Sequence, residues 1–224
     1  MESEPVDLDA AEARVLGCLI EKALTTPDQY PMSLNGVRLA CNQVSNRNPV
    51  VAYDETAVAT TLRRLADRGL AKLVHRVGDR VVKYIHAADN VLELDRGELA
   101  LLAVLLLRGD QTSGELRQRT DRYAAFDSLL AVERTLGRLT MRTPALVSEL
   151  GRHPGQKESR FRQLLTVEAG TAEGASPRFV PAGVPASVPG AVDPADSVAE
   201  LRHEITTLRS RFERLLEALG VDEI

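Results

Sequence analysis

The sequence predicts a mainly α-helical protein with small β-hairpins, organised as two tandem winged helix-turn-helix domains followed by a C-terminal coiled-coil helix. Three observations predict this fold class. Residues 54–86 have the pattern of a helix followed by a hairpin, the order of elements around them recurs later, and a heptad pattern lies near the end. The predicted divisions are a disordered lead at 1–7, domains at 8–90 and 91–166, a linker at 167–196 and a coiled-coil helix at 197–220.

The segment Asp54–His86 predicts a recognition-type helix (Asp54–Leu70) and a wing (Ala71–His86). Asp54 is a favourable N-cap, and Gly69 suits a left-handed C-cap. β-branched residues on both sides of Gly78-Asp79 predict a hairpin with a two-residue turn. The spacing of three and four residues places one apolar stripe on the helix: Val58, Thr61, Leu62 and Leu65.

Two shorter helical patterns precede this segment. Asp9 begins a helix that ends near Leu24, because the prolines of Thr25–Pro31 forbid its continuation. Ser33 begins a second helix, which ends near Cys41 and is followed by the polar connection 42–50. The resulting order is helix, helix, helix and hairpin.

The same order recurs in the second half of the chain. Nine residues of the two third helices, Ala57–Leu65 and Ala131–Leu139, match at an offset of 74 with six identities, whereas the first helices match at an offset of 86. We interpret this as an internal duplication, with the polar connection as the extra length of the first copy. The predicted elements are a helix Glu98–Arg108 capped by Asp95, a helix from Gly114 to about Tyr123 started by Thr112 or Ser113, a helix Phe126–Arg142, and strands Ala145–Leu150 and Ser159–Leu165.

Composition indicates a soluble, cytoplasmic protein. The net charge of -4 offers no bulk attraction to nucleic acid, yet residues 8–164 carry 23 basic against 19 acidic side chains. Two cysteines form no disulfide framework, so a reducing compartment is expected. The acidic N-terminus is unlike a signal peptide, and the most apolar run, Leu99–Leu107, is far shorter than the roughly 18 residues of a membrane span.

The C-terminal region predicts a linker and then an oligomerising helix. Proline recurs among small residues after Leu165, and Ser197-x-x-Glu200 is a capping box. The heptad seam predicts a homodimer or other self-association; the alternative is an amphipathic helix docked on its own domain. The seam consists of Val198, Leu201, Ile205, Leu208, Phe212, Leu215 and Leu219.

The basic residues of the helix and wing predict a surface for double-stranded DNA, as in a transcriptional regulator. Arginine can contact guanine or phosphate, and threonine can contact phosphate or a thymine methyl group. The alternatives are a solvated basic face or, for the second copy, a dimerisation or protein-binding domain. The candidate residues are Thr56, Thr60, Arg63, Arg64, Arg76, Arg80 and Lys83 in the first copy, and Arg134, Arg138, Lys157 and Arg160 in the second.

Outside the predicted DNA surface, Arg47 is the one candidate in the sequence for a ligand-binding or catalytic residue. Arg47, among asparagines in the connection 42–50, suits a phosphate or carboxylate, but turn and capping roles are the favoured explanation of its polar neighbours. No phosphate-binding loop, nucleotide-binding glycine motif or nucleophile elbow is present, and the four histidines lack metal-ligand spacing. We therefore expect no enzyme activity, no metal and no cofactor.

Three strings resemble the bacterial YceH-like family, whose members are uncharacterised. They are LDAAEARVLGCLIEKALTTPDQYPMSLNGVRLACNQVSNRNPV, LLLRGDQTSGELRQRT and PGQKESRF, within residues 8–164 or about 70% of the chain. The resemblance implies a tandem winged-helix fold in the cytosol, with no established activity and no catalytic residues to carry over. The alternative to DNA binding is a protein-interaction scaffold, because the fold resembles in outline the accessory subunit of bacterial chromosome-condensing complexes.

Overall fold

A computed structural model of the chain describes residues 6–75, 81–151 and 158–166. The chain divides into two compact units, Met1–Thr171 and Ala172–Ile224, and every described residue belongs to the first unit. The predicted linker and coiled-coil helix therefore lie outside the described residues. The described part is mainly helical, with seven α-helices and two small antiparallel sheets.

The first copy consists of three main helices and a three-stranded sheet. The strand before the second helix pairs with the last strand of the copy, so the order in the sheet is β1-β3-β2. The elements are α1 (Ala10–Thr25), a 3-10 turn (Pro27–Gln29), β1 (Met32–Ser33), α2 (Leu34–Cys41), α3 (Glu55–Asp67), β2 (Ala71–Val74) and β3 (Lys83–His86).

The second copy repeats this arrangement after the short helix α4 (Ala88–Val91). Its sheet has the order β4-β6-β5, and Phe161 on β6 takes the place that Tyr84 has on β3. The elements are α5 (Arg96–Arg108), β4 (Gln111–Thr112), α6 (Ser113–Thr120), α7 (Leu129–Thr140), β5 (Val147–Leu150) and β6 (Arg160–Gln163).

Three predicted helix starts are confirmed by side-chain hydrogen bonds. Asp9, Asp54 and Asp95 each accept the backbone N–H three residues later, and Gly69 has a φ of +74°. The predictions for the second copy were too long: α6 ends at Thr120 because the bend before α7 begins there, and α7 starts only after its N-cap Ser128. The tips of both hairpins, including Gly78-Asp79, lie outside the described residues.

The two copies share one hydrophobic core, with α1 and α5 at its centre. Each of these helices has ten consecutive buried residues, 12–21 in α1 and 98–107 in α5. The helices approach closely at Gly17, where a Cβ atom would lie 2.9 Å from Cγ of Leu107. Neither central helix therefore has a free side, and each copy completes the core of the other.

The extra length of the first copy is divided between two places, which corrects its assignment to the polar connection alone. The equivalent N-caps Ser33 and Thr112 are 79 positions apart, so seven additional residues lie before them and five lie between α2 and α3. The connection after α2 also contacts the second copy: the Asn48 N–H donates to the Leu107 carbonyl at 2.8 Å. The added residues thus help to join the copies.

The beginning of the described chain also pairs with its end. The Leu8 N–H donates to the Leu165 carbonyl at 2.7 Å, and Leu8 forms a parallel bridge with Thr166. Leu8 is fully buried, and Val6 packs against the core. In the described part of the chain, every helix is too short or too polar to cross a lipid bilayer.

Candidate nucleic-acid interface

The outer face of α3 is exposed because the inner face supplies the core. Val58, Leu62 and Leu65 are fully buried. The Thr61 hydroxyl, on the same inner side, donates to the Ala57 carbonyl at 2.8 Å and so needs no other partner. The predicted contact residues Thr56, Thr60 and Arg63 are all exposed on the opposite face. No ion pair to Arg63 is formed within residues 6–75, 81–151 and 158–166, so its guanidinium is available to a ligand.

Arg64 has a structural contact that the sequence prediction missed. Its guanidinium pairs with the carboxylate of Asp9 and lies 3.3 Å from Oε1 of Glu12. These two acids form the capping box at the start of α1. Burial alone would raise the pKa of Asp9, but the Glu12 N–H and the Arg64 guanidinium lower it overall. Arg64 therefore connects α3 to α1. Because the two carboxylates partly neutralise its charge, Arg64 attracts a phosphate less strongly than Arg63 does.

Arg138 makes the same contact in the second copy. It lies 2.6 Å from Oδ2 of Asp95 and 3.0 Å from Oε1 of Glu98, the capping box of α5. The pKa of the guanidinium is raised, chiefly by its hydrogen bond to Glu98. The sequence held a signal for these pairs, because the arginine and both acids recur together in the two copies. The partners are 55 residues apart for Arg64 and Asp9 and 43 for Arg138 and Asp95, so the pairing follows only from the fold.

The predicted wing residues are only partly described. Lys83 is half-buried on β3, where it faces both Ser33 and Val74 in the strand register. Arg160 donates to the Asp110 carbonyl at 2.7 Å and to Oε2 of Glu115 at 3.1 Å, so it lies in a cleft beside α6. Arg76, Arg80 and Lys157 are outside the described residues.

The outer face of α7 differs from that of α3. Arg134 is exposed as predicted, but Leu130 and Met141 are 53% and 87% exposed. Gly137 occupies the place of Arg63 and leaves open space beside the helix. A groove of about 550 Å³ runs between α7 and the sheet of the second copy. Its lining includes the apolar residues Leu129, Met141 and Phe161 and the acids Glu133, Glu149 and Glu158.

Arg47 is buried, which corrects its interpretation as an open anion-binding residue. Its guanidinium contacts both carboxylate oxygens of Glu21, at 2.5 and 3.1 Å, and the Ala40 carbonyl at 3.0 Å. The Tyr123 hydroxyl, from the second copy, donates to the same carboxylate at 2.8 Å. Burial would raise the pKa of Glu21, yet Arg47 and Tyr123 lower it overall, so the acid is ionised inside the core.

The segment Thr25–Pro31, which connects α1 to β1, is also structural where its contacts are described. Tyr30, which precedes β1, accepts a hydrogen bond from the His86 N–H at 2.6 Å and has its pKa raised by burial. Burial also lowers the pKa of His86, so this histidine is neutral near pH 7. The described residues contain no group of three or more His, Cys, Asp or Glu side chains placed to share a metal ion.

Comparison with known proteins identifies relatives over most of the chain. The family described as "Protein of unknown function, DUF480" matches residues 8–156. A UPF0502 protein of Geotalea daltonii is 53% identical over 172 residues, which cover 77% of this chain and 78% of the relative. UPF0502 proteins of Solibacter usitatus and Serratia proteamaculans are 44% and 41% identical, over 92% and 94% of this chain and 95% and 96% of their own lengths.

Proposed function

The chain belongs to the DUF480 family of proteins of unknown function, and we propose that it binds double-stranded DNA through α3 of the first copy, as a transcriptional regulator. The observation that carries this proposal is the exposed outer face of α3, with Thr56, Thr60 and Arg63, beside a three-stranded sheet. In the winged-helix fold, which we propose for both copies, the third helix enters the major groove and the hairpin contacts the backbone.

The charges around α3 limit which part of its outer face can contact DNA. Arg63 supplies a planar guanidinium for guanine or phosphate, and the threonines are small enough for close approach. Glu55 and Asp67 are exposed on the same helix and repel phosphate at its two ends. We therefore place the contact at the middle of α3, on Thr60 and Arg63, with the wing arginines Arg76 and Arg80 as backbone contacts.

Fluorescence anisotropy of labelled duplex DNA at two salt concentrations tests the proposal. We expect the full chain to bind more weakly as salt rises, because each phosphate contact releases counterions. Arg63→Glu should weaken binding about tenfold or more and reduce the salt slope by roughly one. Arg122→Glu, which reverses an exposed arginine outside the proposed face, is the control.

Two results would overturn the proposal. One is the absence of salt-dependent binding by the wild-type chain. The other is equal weakening by Arg63→Glu and Arg122→Glu, which would indicate a general effect of net charge. Arg64 is left unchanged in this design because its replacement also breaks the contact with Asp9 and Glu12.

The second copy favours a second candidate function, protein binding. Its groove combines exposed apolar side chains with three acids, which repel DNA but complement a basic partner. We commit to one occupant, an amphipathic helix of another protein with lysine or arginine beside its apolar stripe. Such a helix would lay its apolar side on Leu129, Met141 and Phe161.

Selection from a displayed library of helical peptides on the full chain tests this candidate. Selected peptides should be amphipathic and net basic, and Met141→Glu should lose their binding. Val44→Glu is the matched control, because Val44 is 82% exposed but lies outside the groove. Acidic peptides, or equal loss with Val44→Glu, would contradict the assignment.

Self-association through residues 197–220 stays a separate proposal, supported by the heptad seam. Sedimentation of the full chain against a chain that ends at Thr171 tests it. We expect the full chain to sediment as a homodimer or larger assembly and the shorter one as a monomer. Assemblies of equal subunit number would remove the coiled coil as the cause.

A further inference from the structure

We propose that a cleft between the two copies binds a small phosphate monoester that also carries a hydroxyl or amino donor. The cleft has a volume of about 520 Å³, within the usual range for small-molecule sites. The first copy supplies Asn46 and Asn48, and the second supplies Arg108, Gln111 and Arg119. Arg160, predicted from sequence as a DNA contact, also lines this cleft.

The described residues of the cleft carry more positive than negative charge. Glu115 serves two arginines, since its oxygens lie 3.5 Å from Arg119 and 3.1 Å from Arg160. The other acid in the cleft, Asp110, is held by Arg162 at 2.8 Å. Arg47 at the cleft wall is already neutralised by Glu21 in the core.

The surroundings of Arg108 show this excess of positive charge most clearly. Its guanidinium donates to the side-chain oxygen of Asn46, a neutral amide, and the described residues give it no carboxylate partner. Its pKa is lowered, first by burial and then by the charge of Arg119. An anion between these two guanidinium groups would remove the mutual repulsion, and arginine forks bind phosphate oxygens in pairs.

A second, independent feature indicates a donor on the ligand. Gln111 is 4% exposed, and its side-chain nitrogen donates to the carbonyls of Asp110 and Arg108 at 2.8 and 3.3 Å. Its Oε1 atom is buried and accepts no hydrogen bond from any described residue. A buried carbonyl oxygen without a donor is costly, so a ligand hydroxyl or amino group is the natural partner.

The two features together define the ligand class. The arginines call for a phosphate and the Gln111 oxygen calls for a donor, and a phosphate monoester can supply a hydroxyl or amino donor several atoms from its phosphate. Nucleoside monophosphates and sugar phosphates share this chemistry. Because Asn46 and Asn48 come from the first copy and the arginines from the second, the bound ligand would connect the copies.

Thermal unfolding and calorimetric titration of the full chain test the proposal with four probes: adenosine monophosphate, glucose 6-phosphate, inorganic phosphate and, at matched ionic strength, sodium chloride. We expect a saturable rise in the unfolding temperature with at least one organic phosphate, since a ligand of the native state stabilises it. The better organic phosphate should bind more tightly than inorganic phosphate. The comparison between adenosine monophosphate and glucose 6-phosphate distinguishes a nucleoside monophosphate from a sugar phosphate as the ligand.

Three variants and one control locate the site. Arg108→Gln and Arg119→Gln should each weaken binding of the organic phosphate about tenfold or more, because each removes a charged partner of the phosphate. Arg122→Gln, at an exposed arginine outside the cleft, should bind like wild type. Gln111→Leu should lose the preference for the organic over the inorganic ion. Circular dichroism checks that each variant folds.

The outcomes are decisive in both directions. No saturable shift beyond sodium chloride, or equal weakening by Arg122→Gln, overturns the site. Retained preference in Gln111→Leu overturns the assigned donor. The site is independent of the DNA proposal: Arg108→Gln should leave DNA binding unchanged, and Arg63→Glu should leave phosphate binding unchanged.

Discussion

The third helices of the two copies, α3 and α7, have the same inner face and different outer faces. Both bury a valine, a threonine and two leucines, and both send an arginine to the capping box of the first helix in their own copy. The outer positions have changed in character: Thr56 corresponds to Leu130, Arg63 to Gly137 and Asp67 to Met141. The inner faces are alike because both fill the same core. A difference in function between the two copies would therefore lie on the outer faces.

The central helices show the opposite contrast, because their difference is buried. At matching positions α1 has Arg14, Cys18 and Glu21, whereas α5 has an alanine, a valine and a leucine. Arg14 donates to the Pro49 carbonyl at 2.5 Å, and Glu21 binds Arg47. These polar residues of α1 hold the long connection of the first copy, which the second copy lacks.

The largest expected effect comes from removing the buried ion pair between Glu21 and Arg47, which the second copy lacks. Arg47→Met should lower the free energy of unfolding by about 3–5 kcal/mol, because it leaves the carboxylate of Glu21 buried without its partner. Equilibrium unfolding in urea measures the loss. The double variant Glu21→Gln, Arg47→Met should lose less than Arg47→Met alone, since it removes the unpaired charge.

The stability lost in Arg47→Met should depend on pH in a direction that follows from the pKa of Glu21. The folded pKa of Glu21 is lowered, so its contribution is present above the unfolded value of about 4.3 and is lost as pH falls through the folded pKa. The difference between wild type and Arg47→Met should therefore shrink in acid. A difference independent of pH would contradict an ionised Glu21.

Two glycines provide an intermediate and opposite pair of effects. Gly17→Ala should destabilise by about 1–3 kcal/mol, because its Cβ would press on Leu107 at the crossing of α1 and α5. Gly137→Ala should stabilise by roughly 0.5–1 kcal/mol, because α7 leaves room there and alanine favours helix. Thermal unfolding compares the two, and equal signs would refute the assigned crossing point.

The smallest expected effect tests the similarity of the copies. Arg64→Gln and Arg138→Gln should each cost about 0–1 kcal/mol, because both guanidinium groups are about half exposed and screened by water. Chemical denaturation measures both. A much larger loss for one of them would show that the two contacts with the capping boxes are not equivalent.

Local rules explain what the sequence predicted well. The caps at Asp9, Asp54 and Asp95 depend on neighbours three residues away, and the stripe of α3 depends on its own period. The two-residue strands β1 and β4 were missed, because Met32–Ser33 and Gln111–Thr112 are too short for any period and exist only through pairing with β3 and β6.

Site residues were harder to predict than elements, for a physical reason. The spacing of residues on α3 separates inner from outer positions, so Thr56, Thr60 and Arg63 could be placed on an exposed face. It does not reveal long-range partners, such as Glu21 for Arg47 or Asp9 for Arg64. The cleft that contains Arg108 and Arg119 was missed because the asparagines of the first copy meet these arginines of the second only when the two copies pack.

The shared core also sets the order in which the protein can fold during synthesis. The side of α1 that contains Gly17 needs α5 to cover it, and the matching positions of α5 are made 86 residues later. At roughly 5–20 residues per second, the ribosome takes about 4–17 s to supply that partner. For this interval the first copy carries an uncovered apolar helix face, so we expect the nascent chain to be a chaperone substrate until α5 emerges.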